Sequence, residues 1–387
     1  MPPGTMRAQI LEAFNQPYTF SSTHPVPETP QGHDVLIRVK AASYCHTDAV
    51  FASGQMQQGL PRIGSHEFAG VVEALGPDAE KVAARTGVKI GDLVGVPGRA
   101  YRPCGECAEC TENGGDLDGY GVWCPRAGNL GLTKDGGFQE LCLADVRQVA
   151  RVPDQGDLRP VDVAPLMCAG VTIWNALETA AAEVKSSSGG AGVEGKYVAI
   201  VGAGGGLGHL GVQFAAKLGW NVVAVDTTSA MGMLQEVISD LGEEGRRVTV
   251  VNAITESVDA VKRKIFGEAA ACREGEQGVD SVLILPESQA AFDFGMGVLK
   301  NHGTCVAVSF PKDGWRFKPG DLVFRHIRLL GVLTGRNRQL QAMVDFAARN
   351  DVRAKIRTYP LEQLNRLVED YHKGVGGKLV VDMDLQG

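Results

Sequence analysis

The stretch VAIVGAGGGLGHLGVQFAAKLGWNVVAVD, Val198 to Asp226, leaves little choice of fold. An apolar run gives way to glycines, then to a segment of helical period, then to a second apolar run that ends on an acid. Glycines let a backbone approach a pyrophosphate closely, and the pyrophosphate then sits at a helix N-terminus. The strict G-x-G-x-x-G register is missed, because Leu207 stands at the sixth place when Gly202 is the first. The context is met on both sides, and Asp226 follows at about the expected distance. Its carboxylate can accept hydrogen bonds from both hydroxyls of an adenosine ribose and would repel a 2′-phosphate. The following Thr-Thr-Ser-Ala offers no cation to hold one. NAD is therefore expected over NADP, although a glycine-rich turn in some other α/β fold would read similarly.

The same grammar continues downstream. RRVTVVNA, VDSVLIL, GTCVAVSF and IRLLGVL read as strands, separated by the helical patterns AMGMLQEVISDLG, SVDAVKRKIFGEAAA and AAFDFGMGVLK. Strand and helix in alternation mark a doubly wound parallel sheet. Residues 1–150 read instead as short strands between turns, among them DVLIRVKAAS, EFAGVVEALG and IGDLVGVPG. Between the two regions, APLMCAGVTIWNALETAAAEV predicts one helix of roughly twenty residues, and SSSGGAG predicts a surface loop. A helix, NRQLQAMVDFAARN, and a tail ending GKLVVDM close the chain.

The 387 residues favour two domains, and no internal repeat is found. A net charge of −7 gives no electrostatic footprint for nucleic acid or an anionic membrane. The start MPPGTMRAQI has no apolar leader core, and no run approaches the roughly 18 apolar residues of a membrane span. A soluble, cytoplasmic protein is expected.

The 9 cysteines are odd in number and clustered, which in a reducing compartment favours metal ligation over disulfides. CGECAECTENGGDLDGYGVWC places Cys104, Cys107, Cys110 and Cys124 in one glycine-rich loop. Four thiolates close a tetrahedral zinc site with no position left open, so this set is structural. Glu106, Glu109, Glu112, Asp116 and Asp118 lie between them and argue against a nucleic-acid zinc ribbon. Elsewhere, SYCHTDAVF sets Cys45 beside His46, and neighbours in an extended segment point to opposite faces, so the two are not expected to share an ion. Cys45, His66 and Cys168 lie in three separate segments. Together they would leave a fourth coordination position open, as catalytic zinc requires, but each cysteine alone reads equally as a small buried hydrophobe.

The stretches CHTD, SHEFAG, the Cys104 to Cys124 cluster, DGGFQE, APLMCAGVTIWNAL, GAGGGLGHLGVQFA and GKLVVD together resemble the zinc-dependent medium-chain dehydrogenase/reductase family of alcohol dehydrogenases. The likeness is greatest to the yeast-type branch and runs from about residue 7 to the end. The resemblance implies that Cys45, His66 and Cys168 are ligands of a catalytic zinc. Glu67 is then an acid beside the metal that can exchange with its solvent ligand, and Asp48 orients the ligating imidazole. Thr47 becomes the hydroxyl that takes the alcohol's proton. His46 is a neighbour placed near the cofactor phosphates. Gly202, Ala203, Gly204, Gly205, Gly206, Leu207 and Gly208 match the one-residue-longer nucleotide loop of that branch, and Thr172 would sit under the nicotinamide.

Four departures from the family pattern stand out. Val50 occupies the place of a relay histidine. The last cysteine of the cluster comes late, through an insertion around NGGDLDGYG. The loop after Asp226 lacks the ribose-binding lysine, and the phosphate-contacting arginine is either Arg336 or Arg338. Ser65 and Phe68 also replace glycines often found beside the zinc histidine.

The expected fold is therefore α/β. A mainly β, GroES-like catalytic domain spans residues 1–170, with 331–387 returning to it, and a Rossmann domain spans 171–330. The expected activity is reversible hydride transfer between an alcohol and NAD, with two zinc ions per chain, in a homodimer or homotetramer and in the cleft between the domains. FASGQMQQGLPR and GRAYRP are expected to line the pocket, and the small hydrophobic residues around Val50 and Met56 point to an apolar one. The rival readings are a polyol dehydrogenase, a zinc-independent NAD(P)H quinone reductase and a non-catalytic zinc protein. Cys168 as third ligand argues against the first, and the full cysteine set argues against the second.

Overall fold

The computed structural model describes residues 4–56, 59–112, 121–187, 189–190, 192–267, 275 and 277–386, with the backbone only at 83–85. The chain divides into two compact units, Met1–Val171 with Gly335–Gly387, and Thr172–Thr334.

In the second unit six strands form one parallel sheet. Its order is Val248–Asn252, Asn221–Asp226, Tyr197–Val201, Val279–Ile284, Leu299–Ala307 and Arg328–Gly331. Strands covered on both faces must be apolar throughout. Val198, Ala199, Ile200, Val223, Ala224 and Val225 accordingly lose all contact with solvent. The intervening helices are Gly208–Lys217, Met231–Leu241, Val258–Phe266 and Gln289–Val298. Ser257 and Ser288 start the last two by accepting the N–H groups of Ala260 and Ala291. The chain winds outward from Tyr197–Val201 to one edge, then returns to its other side with Val279–Ile284. That reversal is the switch point at which open α/β sheets bind ligands.

The first unit is mainly β. A seven-stranded sheet runs Ile356–Tyr359, Lys378–Asp382, Asp34–Tyr44, Glu67–Leu75, Leu93–Pro97 and Ala150–Arg151, with Leu141–Asp145 also paired to Asp34–Tyr44. A second sheet of three strands joins Thr19–Pro25, Thr5–Leu11 and Arg62–Ile63. Ile37, Phe68, Val94, Val96, Phe138 and Val381 fill the core between them. The fold class is the two-part α/β architecture expected from the sequence.

Two local expectations need correction. The predicted single helix through Cys168 is two pieces, a tight turn at Ala164–Met167 and the helix Ala169–Ser187, with a separate short helix, Pro160–Val163, before them. Cys168 itself, at φ −122° and ψ −64°, is not helical. The break turns its thiol toward Cys45, a demand that periodicity cannot register. SSSGGAG begins as helix, through Ser187, while Ser188 and Ala191 lie outside the described residues. The insertion NGGDLDGYG also lies outside them up to residue 120. Among the described residues no single helix is long and apolar enough to cross a membrane.

Candidate active site

The strand Asp34–Tyr44 delivers Cys45 to the start of a short helix, His46–Ala52. SYCHTDAVF is thus extended only as far as Cys45, and the helix carries Thr47, Asp48 and Val50. His66 precedes the strand Glu67–Leu75, and Cys168 precedes the helix Ala169–Ser187. These three separate segments bring the ligand atoms of Cys45, His66 and Cys168 within 4.8 Å of one another. The two thiols stand 3.9 Å apart. The bond from Cys168, against the opposing effect of burial, holds Cys45 well below the usual thiol range, while bonding to Cys45 pushes Cys168 well above it.

Asp48 organises this cluster. One carboxylate oxygen accepts the Cys45 N–H (2.9 Å), and the other accepts the Ser65 N–H (3.1 Å) and faces His66 Nδ1 (3.3 Å). Burial disfavours charge on His66, but Asp48 and Cys45 outweigh it and raise the imidazole well above its ordinary value. With Nδ1 engaged, Nε2 is buried without a hydrogen-bond partner among the described residues. A buried polar atom in that condition is rare and calls for an explanation. Two thiols and an unpartnered imidazole nitrogen suit a zinc ion with one position open.

Backbone packing fixes His66 as tightly as hydrogen bonding does. Ser65 takes φ +67°, the left-handed region that favours glycine. This is why glycine is the usual residue there, and Ser65 holds the turn by donating to the Ser43 carbonyl (3.0 Å). Gly98 donates to the His66 carbonyl (2.6 Å), and a Cβ on Gly98 would come 2.5 Å from His66 Cβ.

Glu67 lies fully buried against Lys378, whose ammonium also donates to the Tyr44 carbonyl (3.2 Å). Burial raises the carboxyl to about 7 even though Lys378 pulls the other way. Its second oxygen has no hydrogen-bond partner among the described residues. Sequence reasoning left Lys378 without a role, and its signal was a lysine opening the otherwise apolar strand Lys378–Asp382. Thr47 Oγ1 stands 4.0 Å from Cys45 Sγ. His46 turns away from the donor set, with Nδ1 2.9 Å from the Tyr371 hydroxyl.

The four-cysteine lobe brings its donor atoms together in the same way, within 4.8 Å. Cys107 and Cys110 approach to 3.6 Å, and Cys104 and Cys110 to 3.9 Å. The Glu106 backbone N–H leads in drawing Cys104 down to about 6, while burial drives Cys110 up to about 12. The lobe's stem is tied down by Arg102, bidentate to Asp34 (2.5 and 2.9 Å), and by Arg147, which donates to the Pro103 carbonyl.

In the second unit Gly202, at φ +86°, ends the strand Tyr197–Val201, and the loop runs through Ala203, Gly204, Gly205, Gly206 and Leu207. Gly208 opens the helix, and a Cβ there would lie 2.1 Å from the Gly202 carbonyl oxygen. Asp226 Oδ2 accepts the Gly204 N–H (2.8 Å), tying the acid to the loop. The loop and acid therefore form the bare backbone cradle that a dinucleotide requires. Thr172 is buried at the head of this unit, and Arg336 stands immediately before the helix Asn337–Asn350 of the other unit.

Comparison with known proteins agrees with this geometry. Residues 31–154 match the Alcohol dehydrogenase GroES-like domain, and residues 206–349 match the Zinc-binding dehydrogenase family. An alcohol dehydrogenase of Geobacillus stearothermophilus is 33% identical over 98% of this chain and 100% of its own length. The alcohol dehydrogenase of the archaeon Aeropyrum pernix superposes with a TM-score of 0.78 at 27% identity, covering 97% of this chain and 99% of its own. The cobalt- and zinc-bound alcohol dehydrogenase of Pyrobaculum aerophilum superposes at 0.75 with 26% identity, covering 97% and 99%. Sequence, fold and donor chemistry converge on one conclusion: this chain belongs to the zinc-dependent medium-chain alcohol dehydrogenase family and is an oxidoreductase of alcohols.

Proposed function

We propose that this chain catalyses reversible, NAD-dependent oxidation of an alcohol to an aldehyde or ketone, using one catalytic and one structural zinc. The observation that carries the proposal is the convergence of Cys45, His66 and Cys168 around the unpartnered, buried His66 Nε2. When bound, zinc supplies a Lewis acid for the substrate oxygen and NAD supplies the hydride acceptor.

The protein's own residues do the rest. Asp48 engages Nδ1 of His66 and leaves Nε2 for the ion. Thr47, beside Cys45, takes the substrate hydroxyl proton. Val50, one helical turn on, is aliphatic and passes no proton further. Glu67, held by Lys378, keeps a carboxylate beside the donor set. Cys104, Cys107, Cys110 and Cys124 hold the structural ion. Asp226 accepts the adenosine ribose hydroxyls, and the loop Gly202–Gly208 admits the pyrophosphate, which is why NAD is favoured over NADP. The sheet edge Arg328–Gly331, paired on one side only among the described residues, is preceded in the chain by exposed Phe310 and Phe324 and followed by exposed Leu333, and it suits self-association into a homo-oligomer.

Metal analysis and a panel of alcohols and aldehydes with each cofactor test this reading. Two zinc ions per chain and turnover with NAD support it; one or none, or activity only with NADPH on quinones, overturns it. With Val50 in the relay position, Val50→His should add a histidine-like ionisation to the pH profile of hydride transfer, beyond that of the Glu67 carboxyl at about 7.

A further inference from the structure

Three arginines cluster at the stem of the four-cysteine lobe, and two of them have an acid. Arg102 is bidentate to Asp34, and Arg147 is bidentate to Asp145 (2.9 and 2.7 Å). The third, Arg99, is only 8% exposed, and no carboxylate among the described residues pairs with it. Its Nη1 donates to Gln148 Oε1 (2.7 Å) and Asn337 Oδ1 (3.1 Å), while Nε and Nη2 are buried without acceptors among the described residues. Burial alone drags this guanidinium down to about 9.

The surroundings sharpen the anomaly. Asn337 begins the 14-residue helix Asn337–Asn350, and its side-chain N–H donates onward to the Arg147 carbonyl (2.6 Å). A helix N-terminus repels a cation and attracts an anion. Arg99 is therefore lodged, desolvated, against a second source of positive potential. Folding alone has no use for that arrangement, since a buried charge is tolerated when it is paired. A bound oxyanion would satisfy the two unpartnered guanidinium nitrogens and the helix end together.

Arg99 also follows Gly98, which backs His66, and belongs to the loop GRAYRP expected to line the pocket. We infer that Arg99, with Asn337 and Gln148, is an oxyanion subsite that receives a carboxylate or phosphate carried by a ligand of the active site. This rests on the dehydrogenase reading and narrows it: the preferred alcohols would bear an acidic group, in place of the purely apolar pocket expected from the sequence.

The test uses zinc-loaded wild-type enzyme, Arg99→Met and Arg99→Lys. Turnover with NAD is compared for ω-hydroxycarboxylic acids and their methyl esters. The wild type should prefer the acid at least tenfold in kcat/KM, mainly through KM. Arg99→Met should bring that ratio close to one, with Arg99→Lys between. NADH binding, followed by fluorescence, separates the sources. An at least tenfold rise in Kd in Arg99→Met with no acid preference in the wild type would assign the oxyanion to the cofactor's diphosphate. Inorganic phosphate should raise the melting temperature of wild type more than that of Arg99→Met. The inference is overturned if acid preference, NADH affinity and the phosphate shift are all the same in wild type and Arg99→Met. Failure to oxidise even neutral alcohols would instead count against the dehydrogenase reading, and the phosphate shift would still report on the subsite.

Discussion

The two donor sets of this molecule are built in opposite ways. Cys104, Cys107, Cys110 and Cys124 come from one stretch of chain, and Cys104 and Cys107 are half-buried. Cys45, His66 and Cys168 come from three elements, and Asp48, Gly98 and the packed sheet hold them where they are. A set drawn from one loop depends on its ion for shape, as small zinc modules do. A set imposed by a hydrophobic core keeps its shape without the ion and can leave a coordination position open. The first kind stabilises and the second reacts.

Breaking each set separately tests that contrast. Cys168→Ser should cost about 10⁴-fold or more in kcat/KM and remove one zinc per chain, with a small change in melting temperature. Cys107→Ser should also remove one zinc, but lower the melting temperature by several degrees first. If Cys168→Ser unfolds the protein while Cys107→Ser leaves it stable, the contrast is wrong.

The ion pairs beside the two sets differ in the same way. Glu67 and Lys378 are both buried, so Lys378→Met should destabilise by about 3–5 kcal/mol, because it leaves a carboxylate stranded. Next in size, Asp48→Asn should reduce catalytic zinc affinity or activity about 10- to 100-fold, read by zinc titration and kcat/KM. Acidification supplies a fourth test. Zinc needs thiolates, so affinity falls as pH falls. Cys104, at about 6, keeps its thiolate well below the usual thiol range, so a colour-forming chelator should capture the lobe's ion only as pH falls through about 6. Finally, Arg126→Ala should leave the melting temperature unchanged, because its pairing with Glu106 is exposed on both sides.

What could be read from the sequence follows the same division. The lobe's spacing announced a metal because its ligands are local. The parallel strands were plain because burial on both faces makes them continuously apolar, and Asp226 was plain because its distance from the glycines is set by one strand–helix–strand unit. The three-donor set could be found only by family resemblance, since spacing says nothing about segments that meet through folding. Cys168 shows the limit most clearly: propensity favours helix on both sides of it, and the tertiary position of its thiol overrides propensity. Arg99 and Lys378 were silent for a related reason. A charged residue in sequence reads as surface, and only packing reveals that both are buried.

The stem of the lobe carries a last consequence. Arg102 on Asp34 and Arg147 on Pro103 clamp the chain before the first cysteine, so a segment added between Cys110 and Cys124 leaves that anchorage in place. Lengthening such a closed segment costs little, about 0.6 kcal/mol for each doubling. The lobe is therefore the place where this scaffold can accept foreign sequence, a binding peptide or a tether, and natural variation in its length need not disturb catalysis.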